Sequence, residues 1–323
     1  MARFLVVITV VFLGACAWFD NAEPMLDQSE AYRLETSGGI VQGERIVSGG
    51  ADPSSATVVS WFDIPFAQPP VDDLRWRAPR ELNKPSEIIT DREDTSCVQK
   101  SSDYAGASGE GIVGSEDCLY LDIKAPADFA SKSYPVMFWI HGGGNTTGHK
   151  DYYDFSRLVS SQGVVVVTTN YRLGALGWFT HPAIQSVQEG LDQTSNFGTL
   201  DIIESLKWVR KNIAKFGGDA QRVTIFGESA GGHNVFALLA SPLADGLFHK
   251  AISQSGYTTS DTKQDAYNEM GQNPLIERGA WQISEQLTKN IELDGSSTQI
   301  RALLKNVDAR ALVALYYNGE GID

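Results

Sequence analysis

Gly227-Glu228-Ser229-Ala230-Gly231 sets a serine between two glycines in a G-x-S-x-G pattern, a spacing that nucleophilic acyl chemistry uses. Val223-Thr224-Ile225-Phe226 precedes it, β-branched or aromatic as a buried strand requires. Val235 to Ala240 follows as a helical run. A sharp strand-to-helix turn lifts the Ser229 hydroxyl above the end of a sheet. Gly227 and Gly231 lack a Cβ, so the chain can pass close to itself beside the serine. The Ala230 amide then points the same way, toward a negative charge forming on a substrate oxygen. Taken alone the pattern also fits an idle surface turn; the flanking strand and helix separate the two readings.

A second stretch supplies the complementary chemistry. His141-Gly142-Gly143-Gly144 follows the apolar run Phe138-Trp139-Ile140 directly. Acyl transfer needs at least two donors around the developing oxyanion, and amides in a glycine loop reach it because no side chain blocks the approach. Gly143, Gly144 and Ala230 are therefore the expected oxyanion donors. A phosphate loop is the competing reading, but the lysine and Ser/Thr of that motif are absent.

The elements that must position these groups alternate along the chain. Leu119 to Lys124, Pro135 to Ile140, Val164 to Thr169, the elbow strand and Lys250 to Gln254 read as strands. Tyr152 to Ser160 is a helix candidate. Ile202, Leu206, Val209, Ile213 and Phe216 recur at helical spacing, which predicts an amphipathic helix over Thr199 to Phe216. This alternation predicts an α/β fold, a mostly parallel central sheet with helices on both faces. Glycine-punctuated short strands after Thr36, and one over Thr57 to Phe66, predict a small N-terminal antiparallel sheet. Toward the end the pattern is helical: one helix over Leu275 to Leu287, one around Ile300 to Leu304, and a third capped by Asp308 and ending near Tyr317.

Composition limits the function classes. The 323 residues carry 26 Lys+Arg and 40 Asp+Glu, a formal net charge of −14. An acidic chain with no basic run is a poor match to nucleic acid or an anionic membrane surface. Arg3 followed by the apolar run Phe4 to Ala15 reads as an export leader. Leu13-Gly14-Ala15-Cys16 resembles a lipobox, in which Cys16 becomes the lipidated first residue of a cell-envelope protein; Ala15-Cys16-Ala17 also fits cleavage to a soluble secreted product, and an uncleaved anchor is a third outcome. A membrane contact is expected only through that N-terminal lipid. Cys97 and Cys118 remain, and an oxidising compartment suits a pair that closes a Ser- and Gly-rich loop, a closure contributing about 3 kcal/mol; two buried free thiols are the alternative. The organisation is a leader over 1–16, an acidic tether over 17–35 and a single domain over 36–323.

Several stretches, in order, resemble the type-B carboxylesterase and cholinesterase family of α/β-hydrolases. Phe216-Gly217-Gly218 through Gly231 is similar to its serine signature, and Glu116-Asp117-Cys118-Leu119-Tyr120-Leu121-Asp122-Ile123 to its second signature. Ile64 to Pro70, Asn170-Tyr171-Arg172-Leu173-Gly174 and Ser253-Gln254-Ser255-Gly256 also resemble family stretches. The resemblance implies a serine esterase acting on small-molecule esters through an acyl-enzyme, without a cofactor, and a disulfide between Cys97 and Cys118. Lys124 stands where a hydrophobic residue is common, and Asn145 where many members carry an apolar or aromatic one.

The resemblance also implies an acid and a histidine far downstream, and the matching regions fall beyond Asp323. Among the five histidines, His141, His149, His181, His233 and His249, none has an evident acid partner, and their spacing gives no zinc signature. His141 is expected to be structural and His233 to be buried along the elbow helix. The chain therefore reads as the incomplete domain of a serine carboxylic ester hydrolase, with negligible turnover and poor solubility expected of these 323 residues alone. A non-catalytic binding or adhesion relative is the alternative; the retained serine and glycine loop favour the enzyme.

Overall fold

The computed structural model describes residues 32–48, 56–82, 88–89, 94–276, 278–289 and 296–317. The leader, Cys16 and the tether up to residue 31 lie outside the described residues. The chain is already in a strand at β1 (Arg33–Thr36), inside the stretch read as tether.

Runs of Val, Ile and aromatic residues become the buried inner strands of the central sheet, while its two edge strands are largely exposed. The central sheet holds β3 (Glu44–Ser48), β4 (Ala56–Pro65), β8 (Tyr120–Pro126), β9 (Tyr134–Ile140), β10 (Val165–Thr169), β11 (Gly218–Glu228) and β12 (Lys250–Gln254), in the spatial order β12-β11-β9-β10-β8-β4-β3. The β9–β12 half is parallel, as the β/α alternation predicts; β8, β4 and β3 add antiparallel pairings on the other side. The sheet is thus mixed. Successive side chains point to opposite faces. Val59 and Val167 enter the main core while Val58 and Val166 pack with Val159 of the Ser156–Gln162 helix on the far side.

A small sheet joins β1 to β2 (Gly39–Gln42) antiparallel, with β5 (Ile88–Ile89) added parallel. Between the bridged cysteines, β6 (Gln99–Ser102) and β7 (Ala107–Val113) form a hairpin absent from the sequence reading. Cys97 and Cys118 are disulfide-bonded, their Cα atoms 4.9 Å apart.

The long helix spans Phe197–Asn212 and tightens into a 3-10 turn over Ile213–Phe216. All five of its periodic apolar residues are fully buried. The Ser156–Gln162 helix starts later than its pattern, because the Asp154 carboxylate accepts from Ser156 N at 2.9 Å and ends the preceding turn there. The same carboxylate takes Lys124 Nζ at 2.8 Å, which explains a lysine in a sheet strand.

The helical tail packs on a second core around Trp76 and Phe179, stacked at 4.4 Å, with Leu304 and Leu312. Its first helix is Ala280–Thr288, shorter than predicted: Asn268 Nδ2 donates to Ile276 O at 2.7 Å, and Leu275 is left exposed in a turn. Asp308 caps Ala309–Ala314, accepting from Ala311 N at 2.9 Å, and a 3-10 turn ends the described chain at Tyr317.

Candidate active site

The glycine loop and the serine turn leave neighbouring strands. Gly227 of β11 lies opposite Ile140 of β9, so the two connections emerge side by side at one end of the sheet. Here the glycines are required by space. A Cβ at Gly231 would sit 2.1 Å from Ile140 O, and one at Gly227 2.5 Å from Gly231 C. A Cβ at Gly142 would lie 3.4 Å from Ser229 Cβ, so the loop and the turn touch.

Ser229 itself is half-buried, at φ 55°, ψ −119°, between the end of β11 and the helix Ala230–Ala240. A non-glycine residue there carries backbone strain. Two bonds hold it: Ser229 N donates to Gln254 O at 2.8 Å, and Ser229 O accepts from His233 N at 2.9 Å.

Gly143 and Gly144 are exposed with φ of +92° and +65°. Gly143 O accepts from Thr146 N at 3.1 Å and Thr147 N at 3.0 Å, which closes the turn. The amides of Gly143 and Gly144 have no protein acceptor among the described residues. Ala230 opens its helix, so its amide has no intrahelical acceptor.

A side-chain network ties the loop to the helix. His141 stacks on Tyr171 at 4.3 Å, and the Tyr171 hydroxyl donates to His141 O at 2.7 Å. Burial pushes the His141 imidazole down to about 4, and its Nδ1–H donates to Gly142 O at 2.9 Å. It is a neutral structural ring, as expected from its place in the loop. Asn234 Nδ2 donates to Asn145 Oδ1 at 2.9 Å, and Asn145 O accepts from Gly174 N at 2.7 Å. Asn234 and Tyr171 were not singled out as site residues by the sequence reading. Tyr171 lies inside the stretch Asn170 to Gly174, but only the fold brings it against His141.

The remaining histidines are engaged elsewhere. His149 is buried beside Asp151, its ring nitrogen 3.4 Å from the carboxylate, and burial lowers its pKa. His181 Nδ1 accepts from Ala183 N at 3.1 Å, and burial pushes that ring down to about 4. His249 Nδ1 accepts from Val223 N at 3.2 Å. His233 departs from expectation: instead of being buried along the helix it is half-exposed, stacked on Tyr257 at 4.3 Å with Nδ1 2.7 Å from Tyr257 O. The reason is the helix phase, which turns Asn234 and Val235 inward in its place. Among the described residues no histidine is hydrogen-bonded to the Ser229 hydroxyl.

A cavity of about 750 Å³ opens beside the loop, its lining including Gly144, Asn145, His233, Asn234, Trp178 and Thr199. A smaller one of about 380 Å³ surrounds Lys150, whose buried ammonium meets Asp63 at 2.8 Å, Asp122 at 3.0 Å and Asp151 at 2.8 Å. Among the described residues no cluster of His, Cys, Asp and Glu is arranged to hold a metal ion, and no helix is long and apolar enough to cross a membrane.

Comparison with known proteins supplies the frame. Para-nitrobenzyl esterase of Bacillus subtilis (strain 168) is 45% identical over 216 residues, 65% of this chain and 42% of the relative. Fumonisin B1 esterase of Sphingopyxis macrogoltabida is 43% identical over 211 residues, 64% of this chain and 38% of the relative. The solved structure of a thermophilic PNB esterase superposes with a TM-score of 0.71 at 34% identity, covering 88% of this chain and 53% of that one. The chain thus spans about two fifths of the length of these relatives and about half of the solved structure, and its fold is that of the α/β-hydrolases. The profile of the carboxylesterase family matches residues 30–319, which takes in the small sheet, the glycine loop, the serine turn and the helical tail alike: the chain belongs to the carboxylesterase family.

Proposed function

We propose that the chain carries the nucleophile and oxyanion side of a serine carboxylic ester hydrolase. The observation that carries this reading is Ser229, held at φ 55° on the β11–helix junction in contact with the glycine loop. In this reading Ser229 Oγ attacks the ester carbonyl carbon and gives up its proton. The carbonyl oxygen takes the negative charge among the amides of Gly143, Gly144 and Ala230. Collapse of the tetrahedral species expels the alcohol, and water hydrolyses the acyl-enzyme by the same route in reverse. The reading requires a proton acceptor oriented by an acid; none of the described histidines bonds the serine. The names of the para-nitrobenzyl and fumonisin B1 esterases support small-molecule esters as the substrate class. Export belongs to the same proposal. The Cys97–Cys118 bridge favours an oxidising compartment, and the mass of the mature N-terminus separates a lipidated Cys16 from a soluble start at Trp18.

The test is turnover of 4-nitrophenyl butyrate by the protein expressed in full from its native gene. Ser229→Ala is expected to lower kcat/KM by about 10⁴- to 10⁶-fold. A loss of less than tenfold contradicts the assignment.

A further inference from the structure

We propose that the side-chain amide of Asn145 selects the acyl group, favouring esters whose acyl chain carries an oxygen acceptor over their hydrocarbon counterparts. The proposal rests on the esterase reading of the same site.

Asn145 follows Gly144 directly and stands at φ 58°, a left-handed position that asparagine tolerates better than most residues. Its backbone is fixed by Gly174 N, which donates to Asn145 O. Its side chain is fixed as well. Oδ1 is taken by Nδ2 of Asn234, a residue only 1% exposed that lies five positions past Ser229 on the elbow helix. Pinning the oxygen orients the whole planar amide, so its NH₂ group faces away from Asn234. That NH₂ makes no hydrogen bond among the described residues, and the half-buried side chain lines the 750 Å³ cavity beside Gly144.

A pre-oriented donor next to the oxyanion loop has consequences for binding. An aliphatic acyl chain lying there covers the NH₂ group without replacing its water, which costs binding. An ether, hydroxyl or carbonyl oxygen in the chain restores the bond. Sites built around a buried hydrogen-bonding group discriminate strongly against substrates that lack the partner. Thr199 also lines the cavity and adds a further polar side chain to it.

The experiment compares 4-nitrophenyl methoxyacetate with 4-nitrophenyl butyrate, a pair with one leaving group that differs by an oxygen in place of a methylene. The protein expressed in full from its native gene is measured beside Asn145→Leu and Asn145→Asp. The leucine removes both the clamp to Asn234 and the donor. The aspartate keeps an oxygen for Asn234 and removes the donor; the negative charge that it adds beside Gly144 acts on the oxyanion of both esters and largely cancels in their ratio. The ratio of kcat/KM for methoxyacetate to that for butyrate is expected to fall roughly fivefold to tenfold in both variants. A parental ratio retained within twofold in Asn145→Asp overturns the proposal and leaves Asn145 as a clamp. A parent protein that turns over neither ester, and whose Ser229 resists a fluorophosphonate, removes the esterase reading and this inference with it.

Discussion

At φ 55°, ψ −119° Ser229 carries roughly 1–3 kcal/mol of backbone strain, and the close contacts around the two flanking glycines are what hold it there. Gly231→Ala pushes a methyl to 2.1 Å from Ile140 O, a backbone atom inside the sheet that cannot swing aside. A loss of about 3 kcal/mol or more is expected from denaturant midpoints. Gly190→Ala is the contrast: φ is +56° but no atom lies within 4 Å, so about 1 kcal/mol is expected. His141 gives a pH signature. Its pKa falls from 6.5 unfolded to about 4 folded. Above pH 6.5 both states are neutral and its contribution is complete. As pH drops from 6.5 to 4 the unfolded chain binds a proton that the folded chain refuses, and stability is lost, up to about 3 kcal/mol. The stability difference between pH 7 and pH 4.5 is expected to shrink in His141→Gln; an unchanged difference argues against a neutral buried ring. The serine and its glycines were legible because their types and order are local. The Asn145–Asn234 bond was not: Asn145 stood out as a departure from the family pattern, but its partner lies 89 positions away.

Strands β9 and β10 were legible as elements because burial on both faces leaves β-rich runs of the right length. The β6–β7 hairpin was hidden: its outward positions are Ser, Glu and Gly, and the disulfide and the Tyr152 contact at Gly106 help fix it in place of an apolar alternation. Leu275 and Ile276 misled in the opposite sense, apolar in type but held in an asparagine-bonded turn. The element-scale prediction for the hairpin is that Cys97→Ser with Cys118→Ser loses about 3 kcal/mol, the entropy of a loop with a separation of 21. The turn beyond the glycine loop depends on Lys150, whose ammonium is held charged by three carboxylates. Lys150→Met leaves Asp63 and Asp122 buried without their cation, and about 3–5 kcal/mol is expected to go. Urea titration of each variant checks both.

Across the whole molecule the two ends of the central sheet differ. β12 is an edge strand with Ile252 46% exposed, and the helix before it shows Leu239 at 55%, with Leu243 nearby at 43%. Exposed edges carrying apolar side chains invite association. The 323-residue chain produced alone is expected to form concentration-dependent oligomers by light scattering, and Leu239→Lys with Ile252→Lys to shift them toward monomer; oligomers unaffected by that pair place the contact elsewhere. The sequence led to an expectation of poor solubility but not to these residues, since which apolar side chains stay uncovered depends on how the helix and the edge strand pack. The account as a whole stands on Ser229 as a nucleophile facing the glycine-loop amides. Its most direct test is mass mapping of the full native gene product after exposure to a fluorophosphonate. The predicted result is one adduct, on the peptide carrying Ser229 and absent in Ser229→Ala; an unmodified Ser229 in folded protein, or an adduct on another residue, contradicts it.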